Sequence, residues 1–369
     1  MSALPYVDHR SDPSSWARAL SVSREAIEIY LGSEVIDLHV DAFIWTRVAG
    51  YDLTKRHGAG LFGARFYSHT DLPRVREAQI GGAIWAITTN PFRSSAARAE
   101  TFAENLARLS SILKSCPDDV ALVKTAAEYR AARAAGKHGA FLGVQGGNAL
   151  DRDRDALELL DDRLVQVTLV HLSTSSLGQT SSPLSTETLW AGLPRRGRDE
   201  GGLSRAGLEY LRRLNEKKIF VDLAHIDRKG FFDAVAHHDQ SQPLIDTHTG
   251  IAGVHPHWRN LDDEQLRAIA DTGGTVGVIY QSTFLGDSIL GGRCARIVDH
   301  LAHIVNVVGE DFASLGSDWD GMIVTPRDMP TCLELPRLVQ RMLERRWKPE
   351  RISKILGGNF LRALAVLRG

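Results

Sequence analysis

Seven polar residues of this chain stand at the ends of short apolar runs, and their types are those that bind metal ions and move protons. His39 and Asp41 close "EVIDLHVD", Gln145 closes "AFLGVQ", and His171 follows "LVQVTLV". His225 ends "KIFVDLAH", His248 lies in "PLIDTHTG", and Asp318 ends "FASLGSD". Alternation places His39 and Asp41 on one face of a strand. A buried carboxylate needs a paired charge or a metal to offset its desolvation. Imidazoles combined with carboxylates make a donor set for Zn²⁺ or a similar divalent ion. Such an ion lowers the pKa of water to about 7 and polarises a carbonyl. A neighbouring carboxylate can then carry the proton, and an imidazole can stabilise charge developing on oxygen.

Not every histidine belongs to this set. His237 and His238 sit at a helix end, where cations suit the dipole. His300 and His303 in "VDHLAHIVNVV" read as helix surface or packing residues, because they precede the last strand and do not end it. His255 and His257 in "GVHPHWRN" belong to a loop near the mouth, where both a site role and a bland one stay open.

The elements that must position these groups alternate along the chain. The strands are "EVIDLHV", "AIWAITT", "AFLGVQG", "LVQVTLVHLS", "KIFVDLAHI", "PLIDTHTG", "TVGVIYQ" and "FASLGSD". Between them lie amphipathic patterns such as "AARAETFAENLARLSSILKS", "LDDEQLRAIADTGG" and "ARIVDHLAHIVNVVG". Near-continuous apolar strands separated by helices predict a parallel sheet covered on both faces. About eight such units predict an α/β fold of the (β/α)₈ TIM-barrel type, whose strand ends converge on one mouth. No GxGxxG follows an early strand to support an open dinucleotide-binding sheet. Residues 1–33 are expected to form an N-terminal helical extension and residues 34–369 a single barrel domain. The Gly- and Arg-rich "WAGLPRRGRDEGGLS" (190–204) reads as a long loop at the substrate entrance, with Arg195, Arg196 and Arg198 on it.

The bulk composition narrows the partners. A formal net charge of -1 over 369 residues gives no basic footprint for nucleic acid or an anionic membrane. The three cysteines (Cys116, Cys294, Cys332) suit a reducing compartment and form neither a disulfide framework nor a zinc-finger spacing. A polar N-terminal segment without an apolar core, and no run of roughly 18 apolar residues, lead to a cytoplasmic expectation.

"DLHVDAF" resembles the opening His-x-Asp segment of the membrane (renal) dipeptidase family, a branch of the amidohydrolase superfamily. "GLEYLRRLNEKKIFVDLAHI", "PLIDTHTGIAGVHPHWRNLDDEQL", "LGSDWDGM" and "ILGGNFLRAL" follow in the family's order from about residue 34 to the C-terminus. The resemblance implies an amidohydrolase-like barrel with two zinc ions bridged by hydroxide, cleaving dipeptides. It assigns His39 and Asp41 to one zinc and His225 and His248 to the other. It makes Asp318 the holder of the bridging water and the proton carrier, and His171 the group that polarises the scissile carbonyl. Arg259, in "HWRNL", would grip the substrate carboxylate, which suits its planar fork.

The sequence departs from the family at "FLGVQGGNAL", where Gln145 takes the position of the metal-bridging Glu and Asn148 that of a usual His. An amide carries no charge to offset two divalent ions. Three readings stay open: a mononuclear hydrolase or deaminase, a hydrolase whose second metal binds weakly, and a metal-free binding protein. The first two are favoured, because five further polar groups persist at strand ends. The expected cofactor is Zn²⁺, as one or two ions. The expected partners are a small-molecule or dipeptide substrate and, as one option, a second copy of the chain in a homodimer.

Overall fold

Each apolar run described above becomes a strand buried on both faces. In this computed structural model, residues 3–59, 63–88, 95–150, 164–182 and 201–369 are described. The strands are β1 (Ile36–Val40), β2 (Gly82–Thr88), β3 (Val120–Leu122), β4 (His138–Gln145) and β5 (Gln166–Thr168). They continue with β6 (Phe220–Asp222), β7 (Ile245–Thr249), β8 (Thr275–Val278) and β9 (Ala313–Leu315). All pairings are parallel, in the order β2-β1-β9-β8-β7-β6-β5-β4, and β2 pairs with β4 to close the ring. The eight-stranded barrel expected from the sequence is therefore present. β3, which the sequence pattern does not reveal, lies beside the first half of β4, and β5 takes over along its second half.

The two barrel ends are built differently. At the end where the strands begin, the helix Asn359–Arg368 forms the floor. Phe360 meets Phe141 and Phe220 at ring distances of 5.4 and 5.7 Å, in one apolar cluster with Ile36, Leu38, Ile84 and Ile245. The Asn359 side chain donates to the carbonyls of Glu310 and Ala313, which anchors the helix start. Gly357 makes this approach feasible, since a Cβ there would press on the Glu34 carbonyl. The opposite end collects the polar residues. A packed floor and an open polar mouth put the chemistry where the strands end.

The N-terminal segment contributes the helices Pro13–Leu20 and Arg24–Leu31. They bury Trp16, Ile27 and Tyr30, and the Tyr30 hydroxyl donates to the Ala78 carbonyl at 2.7 Å. Among the described residues, no helix is long and apolar enough to cross a membrane. Most of the 190–204 loop lies outside the described residues.

Candidate metal centre

The strand ends gather six of the expected side chains around one point. His39 Nε2 lies 3.8 Å from Asp318 Oδ1, and the His39 and His248 rings stack at 3.9 Å. His39, His248 and Asp318 each place a ligand atom within 4.8 Å of the others, all three buried. His225 Nε2 stands 2.9 Å from His248 Nε2, and the Gln145 amide nitrogen is 3.2 Å from both. The His171 ring meets the His225 ring edge-on at 4.6 Å. Asp41 stands slightly apart from the closest three, its carboxylate bonded to the Thr88 hydroxyl, which also reaches the Gln145 carbonyl at 2.8 Å. Arg259 is 3% exposed, donates to the His248 carbonyl at 2.6 Å, and has its Nε without a partner among the described residues.

A recurrent local device aims these groups. β1 and β7 both shift register around their histidine, between Asp37 and Val40 and between Asp246 and Thr249. A bulge frees a backbone N–H from the ladder and turns a side chain toward the site. In each case an aspartate two residues earlier accepts the histidine's N–H, Asp37 at 3.0 Å and Asp246 at 3.3 Å. In β6, Asp222 accepts the N–H of Ala224 at 3.1 Å, just before His225. His225 itself turns out in the left-handed region at φ 67°, as does Asp318 at 61°. Such backbone in non-glycine residues is sparsely populated and collects at functional sites. Gly321 leaves room for the Asp318 carboxylate, since a Cβ there would overlap Asp318 Oδ1.

The network behind His248 fixes its protonation. Thr247 Oγ1 donates to Asp222 Oδ2 at 2.7 Å and lies 2.8 Å from His248 Nδ1. A hydroxyl has one proton, and this one goes to the carboxylate. Thr247 therefore accepts from His248 Nδ1–H, which leaves the Nε2 lone pair facing the site. A hydrogen bond at the far nitrogen is how proteins set the tautomer of a ligating imidazole.

The charge state favours a cation. Burial pushes His39 and His171 down to about 3, and Arg259 adds to the effect in both. Burial also takes His225 and His248 well below the usual imidazole range. It raises Asp41 to about 7 and Asp318 well above the carboxylate range, the Asp41 charge adding to the latter. Neutral imidazoles and carboxylates short of positive charge are the donor set that a divalent ion completes. Buried His39 Nδ1, His39 Nε2 and His225 Nδ1 have no hydrogen-bond partner among the described residues, as expected where part of the coordination shell belongs to an ion.

A sequence model of the family described as Membrane dipeptidase (Peptidase family M19) matches residues 23–367. The chain belongs to this family. Among membrane dipeptidase relatives, dipeptidase ataJ of Aspergillus terreus is 27% identical over 314 residues, 80% of this chain and 76% of that protein. A protein of Klebsiella pneumoniae, described as uncharacterized and in the pqqA 5' region, is 38% identical over 166 residues, 44% of this chain and 60% of its own length. The solved structure of a Rhodobacter sphaeroides metallo peptidase, liganded with a phosphinate mimic of the dipeptide L-Ala-D-Ala, has a TM-score of 0.78 at 25% identity. That likeness covers 91% of this chain and 99% of that one.

Within this membrane dipeptidase barrel, the histidines set aside from the sequence stay outside the centre. His300 is buried in packing, its Nδ1 accepting the Ile251 N–H at 2.8 Å, and His303 pairs with Asp263. His257 packs against Trp258 and Phe284 at the mouth. Sequence reasoning missed Thr88, Asp37, Asp222, Asp246 and Thr247. The "IDLH", "VDLAH" and "IDTH" stretches carried the signal, an aspartate two or three positions before each histidine.

Proposed function

We propose that this protein is a zinc-dependent dipeptidase that holds one ion tightly, through His39, His248 and Asp318, with His225 and Asp41 beside them. The observation that carries the reading is the buried convergence of those three ligand atoms within 4.8 Å at the barrel mouth. When bound, the ion supplies Lewis acidity and water made acidic enough to attack at neutral pH. Asp318 then takes the proton of the attacking water and delivers it to the leaving amine. His171 lines the same cavity and donates to the carbonyl oxygen as charge develops on it. Arg259, with its free Nε, holds the substrate carboxylate.

The count of one follows from Gln145. Its neutral amide adds no charge, so a second divalent ion beside the first meets repulsion that no carboxylate at this position offsets. A cytoplasmic location accords with three cysteines that are all free and buried. The test is metal content by elemental analysis together with dipeptide hydrolysis, in the parent and His248→Ala. About one zinc per chain and hydrolysis that disappears with it in His248→Ala support the reading. Undiminished hydrolysis in metal-depleted His248→Ala would refute it.

A further inference from the structure

The helix Ser95–Lys114 carries two stripes. Phe102, Leu106, Leu109 and Leu113 are buried in the core, at the spacing of one helix face. Thr101, Asn105 and Arg108, also on one face at intervals of four and three, line the cavity of about 720 Å³ above the metal centre. Asn105 is 8% exposed, yet its side chain has no hydrogen-bond partner among the described residues. Arg108 is exposed, and its guanidinium reaches only the Thr46 carbonyl, at 3.4 Å, making no ion pair among the described residues. On the helix Phe43–Ala49, Arg47 lines the same cavity, with its guanidinium 5.9 Å from the Phe43 ring centroid and its charge acting on Asp41. Asp41 and Asp318 are the only carboxylates among the described lining residues, and both belong to the metal centre.

An amide with no hydrogen-bond partner among the described residues and two guanidinium groups, all lining one cavity, match a planar anion that accepts from them. We infer that Asn105, Arg108 and Arg47 form a second carboxylate subsite, so that the preferred substrates are dipeptides bearing an aspartyl or glutamyl side chain. The inference rests on the dipeptidase reading and names the class of substrate that this reading leaves open. The dipeptide's own terminal carboxylate goes to Arg259 and the side-chain carboxylate to the mouth. Trp258, Phe284 and Met322 line the same cavity and give the remaining residue an apolar surface.

The experiment compares Ala-Glu with Ala-Gln and Glu-Ala with Gln-Ala, on the zinc-loaded protein. Members of each pair have nearly the same shape and differ in one charge. In at least one pair the acidic member should have a kcat/KM about tenfold higher or more, the scale of a charge-assisted hydrogen bond. Arg108→Gln should bring that ratio to within about twofold, and Arg108→Lys, which keeps the charge without the fork, should fall between. Ratios near one in the parent, or a preference undiminished in Arg108→Gln, would overturn the subsite. If no dipeptide turned over, the dipeptidase reading would fail, and the ratio of dissociation constants by calorimetry would still decide this inference by the same limits.

Discussion

Asp222→Asn tests whether the metal centre is set from behind. The Asp222 carboxylate is fully buried, and no cation pairs with it among the described residues. It accepts five hydrogen bonds instead. Oδ1 takes the N–H groups of Ala224 (3.1 Å) and Thr247 (2.9 Å). Oδ2 takes Gln166 Nε2 (2.6 Å), Thr168 Oγ1 (2.6 Å) and Thr247 Oγ1 (2.7 Å). An asparagine must turn its NH₂ toward one set or the other. It leaves either two backbone donors or three side-chain donors facing another donor. At about 1.5–3 kcal/mol per bond to a charged group, losing the smaller set costs roughly 3–6 kcal/mol. That is a large share of the roughly 5–15 kcal/mol that holds a typical protein folded. Where the NH₂ turns toward the three side-chain donors instead, rotating Thr247 to relieve the clash sends its proton to His248 Nδ1 and moves the imidazole proton onto Nε2, the atom that faces the site. Denaturant unfolding of the metal-free protein should show the stability loss. Competition with a chromophoric chelator should show zinc affinity reduced by about 10- to 100-fold, the usual effect of removing a group behind a ligand. Thr247→Val breaks the relay with less damage to the fold, and should lose zinc affinity with a smaller drop in stability. An Asp222→Asn protein within about 1 kcal/mol of the parent and with unchanged zinc affinity would refute the reasoning.

Three further outcomes are expected. His138 is buried, bonded at Nδ1 to the Ile80 carbonyl and at Nε2 to Trp85 Nε1–H, and burial holds it down to about 3. The unfolded chain takes up this proton near pH 6.5 and the folded one does not, so stability falls as pH drops from about 6.5 toward 3, by up to about 1.4 kcal/mol per pH unit. His138→Gln should show a shallower slope by that amount in unfolding measured between pH 6 and 4, and an unchanged slope would contradict the assignment. Gly321→Ala should displace the Asp318 carboxylate and reduce kcat by at least about 100-fold, the lower range of a proton-transfer contribution; retained kcat would remove Asp318 from that role. Gln145→Glu adds a carboxylate to a buried acidic site, so its thermal midpoint should fall below the parent's in chelator and rise above it in zinc, with bound zinc approaching two per chain; unchanged stoichiometry would place the second ion elsewhere.

The eight barrel strands were legible because each is an apolar run closed by a polar residue, and a parallel barrel buries both strand faces. β3 was not, since three residues beside half of a neighbouring strand leave no period to read. The convergence at the candidate site was legible for the same reason as the strands: His39, His225, His248 and Asp318 sit where the runs stop. The tautomer-setting Thr247 was hidden, because a threonine inside a strand reads as an ordinary β-branched residue. Thr101, Asn105 and Arg108 were hidden too, since a polar stripe on an amphipathic helix reads as its solvent side until a cavity is found there.

The first and last strands of the barrel lie side by side, and that join is thin in backbone terms. β1 and β9 share a single ladder register, Asp37 with Leu315, whereas β2 and β4 share seven. Side chains and loop backbone make up the difference: Asp37 accepts the Ser317 N–H, 280 residues away, and Asp318 N–H and Asp41 N–H bond to His39 and Trp319 across the gap. His39 stands on one lip of this seam and Asp318 on the other. An ion held by both, as proposed above, would therefore also be a clasp on the ring. By linkage, an ion that tightened this clasp would resist the parting of β1 from β9, and a seam that opened would release it in the same event.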